Sequence, residues 1–346
     1  MSNTSLLGSY GAQDSSSLMF RNVLINGNFD VWQRGVSATN TGDSGGSYVS
    51  ADRWKFLTHT SNVGWVDGTL TQTTDTPSAD IKYGVKVVST SAALDDVVVF
   101  QTVEAINAQS LVGKSATLSF WYKKGAGLAA AKTFKYAVRY LNTADVGTNQ
   151  PLNMGLTTLI QEATISSGSM SSAWAKITMT IPVMPSQAAN GVVVEFRLDD
   201  DNFGSGDLLF LAQVQLEAGP TATPFERRPI GTELALCQRY YWRVENKGAG
   251  TDVLLGLGMG LGPNTALFAM HLPVTMRVAP SISGSCVVAN ASASIINPST
   301  AFSQALSQTG IASTNITCTN PSLSANTVYR VLLNSSTAFF AANAEL

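Results

Sequence analysis

Apolar and polar residues alternate with a period of two along most of this chain, and no long stripe at helical spacing interrupts them. Leu118, Phe120 and Tyr122 share one side of residues 117–123. Phe134, Tyr136, Val138 and Tyr140 form a second stripe, opposite Lys135 and Arg139. Ile177, Met179 and Ile181 repeat the pattern before Pro182, and Val192, Val194, Phe196 and Leu198 repeat it again. Successive side chains of a strand point to opposite faces, so each segment predicts a strand with one buried face. Residues 83–89 and 97–101 add two more, the latter apolar on both faces, while residues 104–110 read as a short helical turn. Roughly eight such strands with turn signals between them select a two-sheet sandwich.

The alternation stops in residues 208–242. Ala212, Val214 and Leu216 oppose Gln213, Gln215 and Glu217 in a last strand, after which Gly219, Pro220, Pro224 and Pro229 end any ladder. Thr232 is expected to cap a short helix over residues 233–239, with Glu233 in its first turn. Beyond it Leu255, Leu257, Met259 and Leu261 alternate with Gly256, Gly258 and Gly260. Glycines along one face let another backbone approach closely. That backbone belongs either to a tightly packed sheet of the same chain or to a second subunit, and the subunit contact is favoured. Ala266, Phe268, Met270 and Leu272 form the next strand, and residues 328–333 and 338–340 the last ones. The expected architecture is all-β: a Ser- and Gly-rich arm (1–20), a jelly-roll β-sandwich (21–226), a linker with a short helix (227–240) and a second, smaller β-sandwich (241–346). Jelly-roll closure requires the opening strand near Val23 to lie beside the last one.

Composition narrows the function classes. The 346 residues suffice for two domains, each with its own core. Net charge is −2 and 13% of residues are charged, which leaves no basic stripe for nucleic acid. No apolar run reaches the ~20 residues of a membrane span. The first residues lack a basic region followed by an apolar one, so no signal peptide is expected. A surface this poor in charge associates readily. Cys237, Cys286 and Cys318 fit no zinc spacing, and reduced, buried thiols are expected of them.

Chemistry-bearing residues are few. His59 and His271 sit in no nucleophile-elbow motif, so no enzyme is expected. Asp199, Asp200, Asp201 and Asp207 share a stretch with Gly204 and Gly206. Oxygen- and glycine-rich loops can hold calcium, although a solvated loop is the plainer reading. Flat aromatics serve both β cores and sugar-binding faces. Trp121 points away from Leu118, Phe120 and Tyr122, which makes it the first candidate for a glycan contact, with Trp65 and Trp174 beside it.

Several motifs carry a resemblance: Leu24-Ile25-Asn26-Gly27-Asn28-Phe29, Trp32-Gln33-Arg34-Gly35, Ala51-Asp52-Arg53-Trp54, the run from Gln215 through Pro224-Phe225-Glu226 to Cys237-Gln238-Arg239-Tyr240, Leu272-Pro273-Val274-Thr275-Met276-Arg277, and Ala344-Glu345-Leu346. Spread over most of the chain, they resemble bacteriophage tail-fibre and related virion proteins, in which a jelly-roll domain precedes a small C-terminal β domain. The resemblance implies a structural virion component (tail fibre, adaptor or decoration protein), homotrimeric, made in the host cytoplasm and attached to other virion proteins through residues 1–20. It places the linker helix near a threefold axis, with Leu234 and Cys237 facing it. The alternative is a binder of host-surface glycan acting through the jelly-roll domain. The opening motif also resembles jelly-roll carbohydrate-binding modules, some of which share a calcium ion between a carboxylate there and an Asp of the last strand. Asp30 suits the first role, but the last strand, Phe210 to Val214, offers no Asp. No cofactor is expected beyond a structural calcium ion, with Asp30, Asp199, Asp201 and Asp207 as its candidate ligands.

Overall fold

A computed structural model describes residues 20–40, 47–59, 68–89, 96–147, 155–199, 203–246, 248, 252–262, 265–284, 287–290, 295–296, 303–304, 313–319, 323–333 and 335–345. The chain divides into two compact units that part between Glu233 and Leu234. Every described ladder in both units is antiparallel, and the fold is all-β. No helix among the described residues is long and apolar enough to cross a membrane.

The first unit is a sandwich of two sheets. The six-stranded sheet runs in the order β1 (Ser37–Asn40), β3 (Gly68–Thr73), β4 (Gly84–Ser89), β11 (Gly206–Ala218), β6 (Ala116–Lys124), β9 (Ala175–Ile181). The five-stranded sheet runs β2 (Lys55–His59), β5 (Asp96–Val103), β10 (Val192–Asp199), β7 (Thr133–Leu141), β8 (Thr157–Ser166). From β8 to β11 the chain crosses from one sheet to the other at each step, as a jelly roll does. The stripes seen in the sequence meet between the layers. Phe120 of β6 stands edge-on to Phe196 (4.7 Å between ring centroids), Tyr136 (5.1 Å) and Phe134 (6.2 Å). Each such pair adds ~0.5–1.5 kcal/mol beyond its buried area. β1 and β8 lie outside the alternating segments named from the sequence. Both are edge strands, and β8 buries only Thr157 fully, so neither needs a continuous apolar face.

The opening segment closes the sandwich against β11. Val23 N–H donates to the Leu216 carbonyl (3.0 Å) and Val214 N–H to that of Gly27 (2.8 Å). A Cβ on Gly27 would lie 2.1 Å from the Val214 oxygen, so the approach requires glycine. Here the opening motifs interlock. The Asn26 amide donates to the carbonyls of Val31 and Asp52, the Trp54 indole donates to the Asn26 carbonyl, and Asp52 accepts from Gln33 N–H and the Arg34 guanidinium. Asn26 adopts a φ of 57°, a left-handed conformation that asparagine tolerates.

Past β11 the chain folds back over one part of the six-stranded sheet's outer face. Glu217, buried, accepts from the Thr223 amide and hydroxyl, and the Gln215 side-chain Oε1 accepts from Glu226 N–H. Glu226 in turn accepts from the amides of Phe20 and Asn22. Arg228 reaches the Asn22 and Leu24 carbonyls and pairs with Glu226 and Glu233, while Glu233 accepts from Asn26 N–H. The helix spans Ile230–Gln238, starting earlier than expected. Thr232 is not its cap: the Pro229 carbonyl receives the Thr232 and Glu233 amides (2.9 and 3.1 Å). A proline there has no N–H to lose and a φ already suited to entering a helix.

The second unit is a smaller sandwich. Its three-stranded sheet is β12 (Tyr241–Glu245), β21 (Phe339–Asn343), β15 (Ser281–Gly284). Its seven-stranded sheet is β17 (Ile295–Ile296), β16 (Val287–Asn290), β20 (Val328–Leu333), β13 (Val253–Gly262), β14 (Thr265–His271), β19 (Ser313–Thr319), β18 (Ser303–Gln304). Phe268, Tyr329, Val331, Leu333 and Phe340 fill the space between them. Arg277 ties the end of the chain down, donating to the carbonyls of Ala344 (2.9 Å) and Glu345 (3.0 Å).

Candidate functional site

The remaining outer face of the six-stranded sheet carries a row of side chains set by strand register. Thr71 of β3 is opposite Lys86 of β4, Lys86 is opposite Phe210 of β11, and Phe210 is opposite Lys123 of β6. Trp174 extends the row from the residue before β9. Its ring meets Phe210 edge-on at 6.2 Å, and the Lys123 ammonium lies 4.2 Å from the Phe210 centroid and 5.7 Å from that of Trp174. Two carboxylates flank the row. Asp75, from the loop after β3, pairs with Lys123 and accepts from the Trp174 indole N–H (2.9 Å). Asp207, at the start of β11, pairs with Lys86 (3.0 Å).

A groove of about 650 Å³ opens beside the Phe210–Lys123 part of this row, lined by Asp75, Lys123, Asp207 and Phe210 together with Leu128 and Met170. That volume falls in the ~300–1,000 Å³ range of small-ligand sites, and the mix of apolar wall and a few convergent polar groups is typical of them. Partial burial opposes ionisation of Asp75, but hydrogen bonds from Lys123 and Trp174 and the charges of Lys123 and Lys86 outweigh it. Its carboxyl is held below the ordinary 3.8. It is therefore an acceptor at neutral pH, not a proton donor.

Of the sequence-predicted glycan contacts, Trp174 stands beside this groove, against its lining residues Asp75, Lys123 and Phe210, without lining it. Trp121 lies on the same outer face, half-buried between Ala212 of β11 and Lys176 of β9. Trp65 lies outside the described residues, as does Asp201. The calcium candidates do not converge. Asp30 accepts from the Asn28 amide beside the Glu226–Arg228 segment. Asp199 ends a strand of the five-stranded sheet and pairs with Lys135, and Asp207 begins a strand of the other sheet and faces Lys86. Lysines have taken the place of a cation at the latter two, and the described residues hold no cluster of three or more metal-ligating side chains. Asp75, Lys123 and Phe210 were not anticipated. Lys123 shares its strand face with Trp121, a signal available in the alternation. Phe210 sits in an apolar run that reads as core, and Asp75 in a polar loop.

The subunit-contact candidates also shift. Cys237 is fully buried in the single chain and Leu234 is half-buried, so Cys237 offers no surface to an axis. Gly256 and Gly258 are ladder partners of the inward-facing Val331 and Tyr329, which puts the glycine face of β13 toward the interior. At Gly260 the approaching backbone is the chain's own: an added Cβ would stand 2.0 Å from the Ser324 carbonyl oxygen.

No family model and no curated protein matches the chain. Among solved structures it is similar to the enzymatically active domain of tailspike protein 4 of bacteriophage CBA120, at 14% identity and a TM-score of 0.37 over 57% of this chain and 22% of that one. It is also similar to the C-terminal family 22 carbohydrate-binding module of Clostridium thermocellum Xyn10B, at 14% identity and a TM-score of 0.31 over 49% of this chain and 89% of the module. A third is the CBM22-1 xylan-binding domain of Paenibacillus barcinonensis Xyn10C, at 11% identity and a TM-score of 0.29, covering 48% of this chain and 87% of that domain. At such scores and identities nothing passes from those proteins to this one, and the fold rests on the chain's own strand order.

Proposed function

We propose that the protein is a non-enzymatic, carbohydrate-binding component of a virion. It is a fibre, adaptor or decoration protein, homotrimeric and attached through residues 1–20, that holds a saccharide in the groove of its first unit. The observation that carries the binding claim is the Lys86–Phe210–Lys123–Trp174 row with Asp75 and Asp207 at its flanks. A sugar presents apolar C–H surface and many hydroxyls. The aromatic edges match the first, and alternating ammonium donors and carboxylate acceptors match the second. The virion assignment is supported by the motifs alone.

A glycan array followed by calorimetry tests the binding claim. Trp174→Ala and Lys123→Ala are each expected to weaken the best saccharide by about tenfold or more, roughly 1.4 kcal/mol. An array on which the intact protein binds nothing removes the sugar. Labelled antibody on purified particles tests the location, and unlabelled particles exclude it.

A further inference from the structure

Strand β13 carries apolar side chains on both faces, but the described residues cover one of them. Val253 and Leu255 pack inward on the cluster around Phe268, Tyr329 and Val331. On the other side Leu257, Met259 and Leu261 are 58, 50 and 56% exposed, with Leu254 at 54%. Val328 of β20, the ladder partner of Met259, is 55% exposed and widens the stripe. Among the described residues of the first unit, the large exposed apolar side chains show no such grouping on one strand.

β13 is the middle strand of its sheet, hydrogen-bonded to β20 on one side and β14 on the other. No further strand can add to it, so the stripe is covered only by a surface laid across its face. Strands apolar on both sides belong in layers packed on both sides. We infer that the Leu257–Met259–Leu261 face of β13 is the contact through which copies of this chain associate. This rests on the multi-copy part of the proposed function and specifies the face.

A second copy is the occupant the chemistry favours. Residues Val253–Gly262 contain no ionisable side chain, so the strand itself meets its own like without repulsion, while Arg330 of β20, the ladder partner of Leu257, borders the stripe. The net charge of −2 sets no long-range barrier between copies. Closed homo-oligomers are the commonest assemblies, and the apolar interfaces are the permanent ones. The glycine face, turned inward over Tyr329, leaves the bulky face of the same strand outward.

Light scattering coupled to size exclusion tests it on the full chain. The expected mass is a multiple of 36.5 kDa, falling to 36.5 kDa for the double variant Leu257→Asp/Leu261→Asp. Met259→Cys, mildly oxidised, is expected to cross-link chain to chain, whereas Val183→Cys, on an exposed position of the first unit, is not. If the aspartate variant misfolds, the cysteine pair decides. An intact oligomer that ignores the aspartates and gives no Met259→Cys cross-link overturns this face and leaves the multi-copy reading standing. A wild-type mass of 36.5 kDa overturns both, with saccharide binding still read separately on the array.

Discussion

At Asp75 one carboxylate holds two side chains, the Lys123 ammonium in the groove and the Trp174 indole beside it. Its acidity is increased by folding, so it contributes stabilisation that is complete above 3.8 and is lost as pH falls below that value through the depressed pKa. Protonation removes the partner of Lys123 and loosens Trp174. Saccharide affinity is therefore expected to hold from neutral pH to about pH 4 and to drop below it, with a parallel change in tryptophan fluorescence that Trp174→Phe abolishes. Asp75→Asn is expected to show the low-pH affinity at pH 7. Trp174 was legible as a candidate because it is a large aromatic in a strand-rich region. Its partners were not, because Asp75, Lys123 and Phe210 are remote from it in sequence, and only the register of β11, β6 and β9 brings them together.

Single strands were read from alternation, and alternation reports which residues share a face but not which face is covered. In β13 the alternating glycines were visible, and closeness of backbones was the right physical consequence. The neighbour at Gly260 is Ser324 of the same chain, so the outward side is the one bearing leucine and methionine. In β7 and β10 the same limit hid an ion pair. Arg139 and Glu195 stand on the side of the five-stranded sheet away from the main core, yet Glu195 is fully buried and its oxygen lies 3.0 Å from Arg139 Nε. Removing one member leaves a buried charge, so Arg139→Ala is expected to lower stability in urea by about 3–5 kcal/mol. The double change Arg139→Met/Glu195→Leu is expected to restore most of it. Equal losses in the single and double variants would mean that the pair itself, not the orphaned charge, supplies the stability.

Across the whole chain, the motifs that resemble virion proteins prove to be fasteners. Asn26, Asp52 and Trp54 knot the opening turn, Gln215, Glu217 and Glu226 hold the returning segment, and Arg277 grips the last residues. None of them lines the groove at Trp174. That is why architecture was readable from sequence while the ligand was not: the recognisable residues build the frame, and the groove is made of commonplace Lys, Asp and Phe. Two units with separate cores should melt in two steps. If copies join through β13, raising protein concentration is expected to move only the step reported by Trp242, and to leave the step reported by Trp54 in place. Two steps that both ignore concentration would speak against assembly through the second unit.

The fastening at Glu226, Arg228 and Glu233 has a mechanical corollary. It grips Phe20, Asn22, Leu24 and Asn26 within the same few residues where the chain leaves the sandwich for the helix. Entry and exit are thus buckled together. Tension drawn between an anchor ahead of Phe20 and a load beyond Glu233 is borne at that buckle, and the interior around Phe120 is spared the strain.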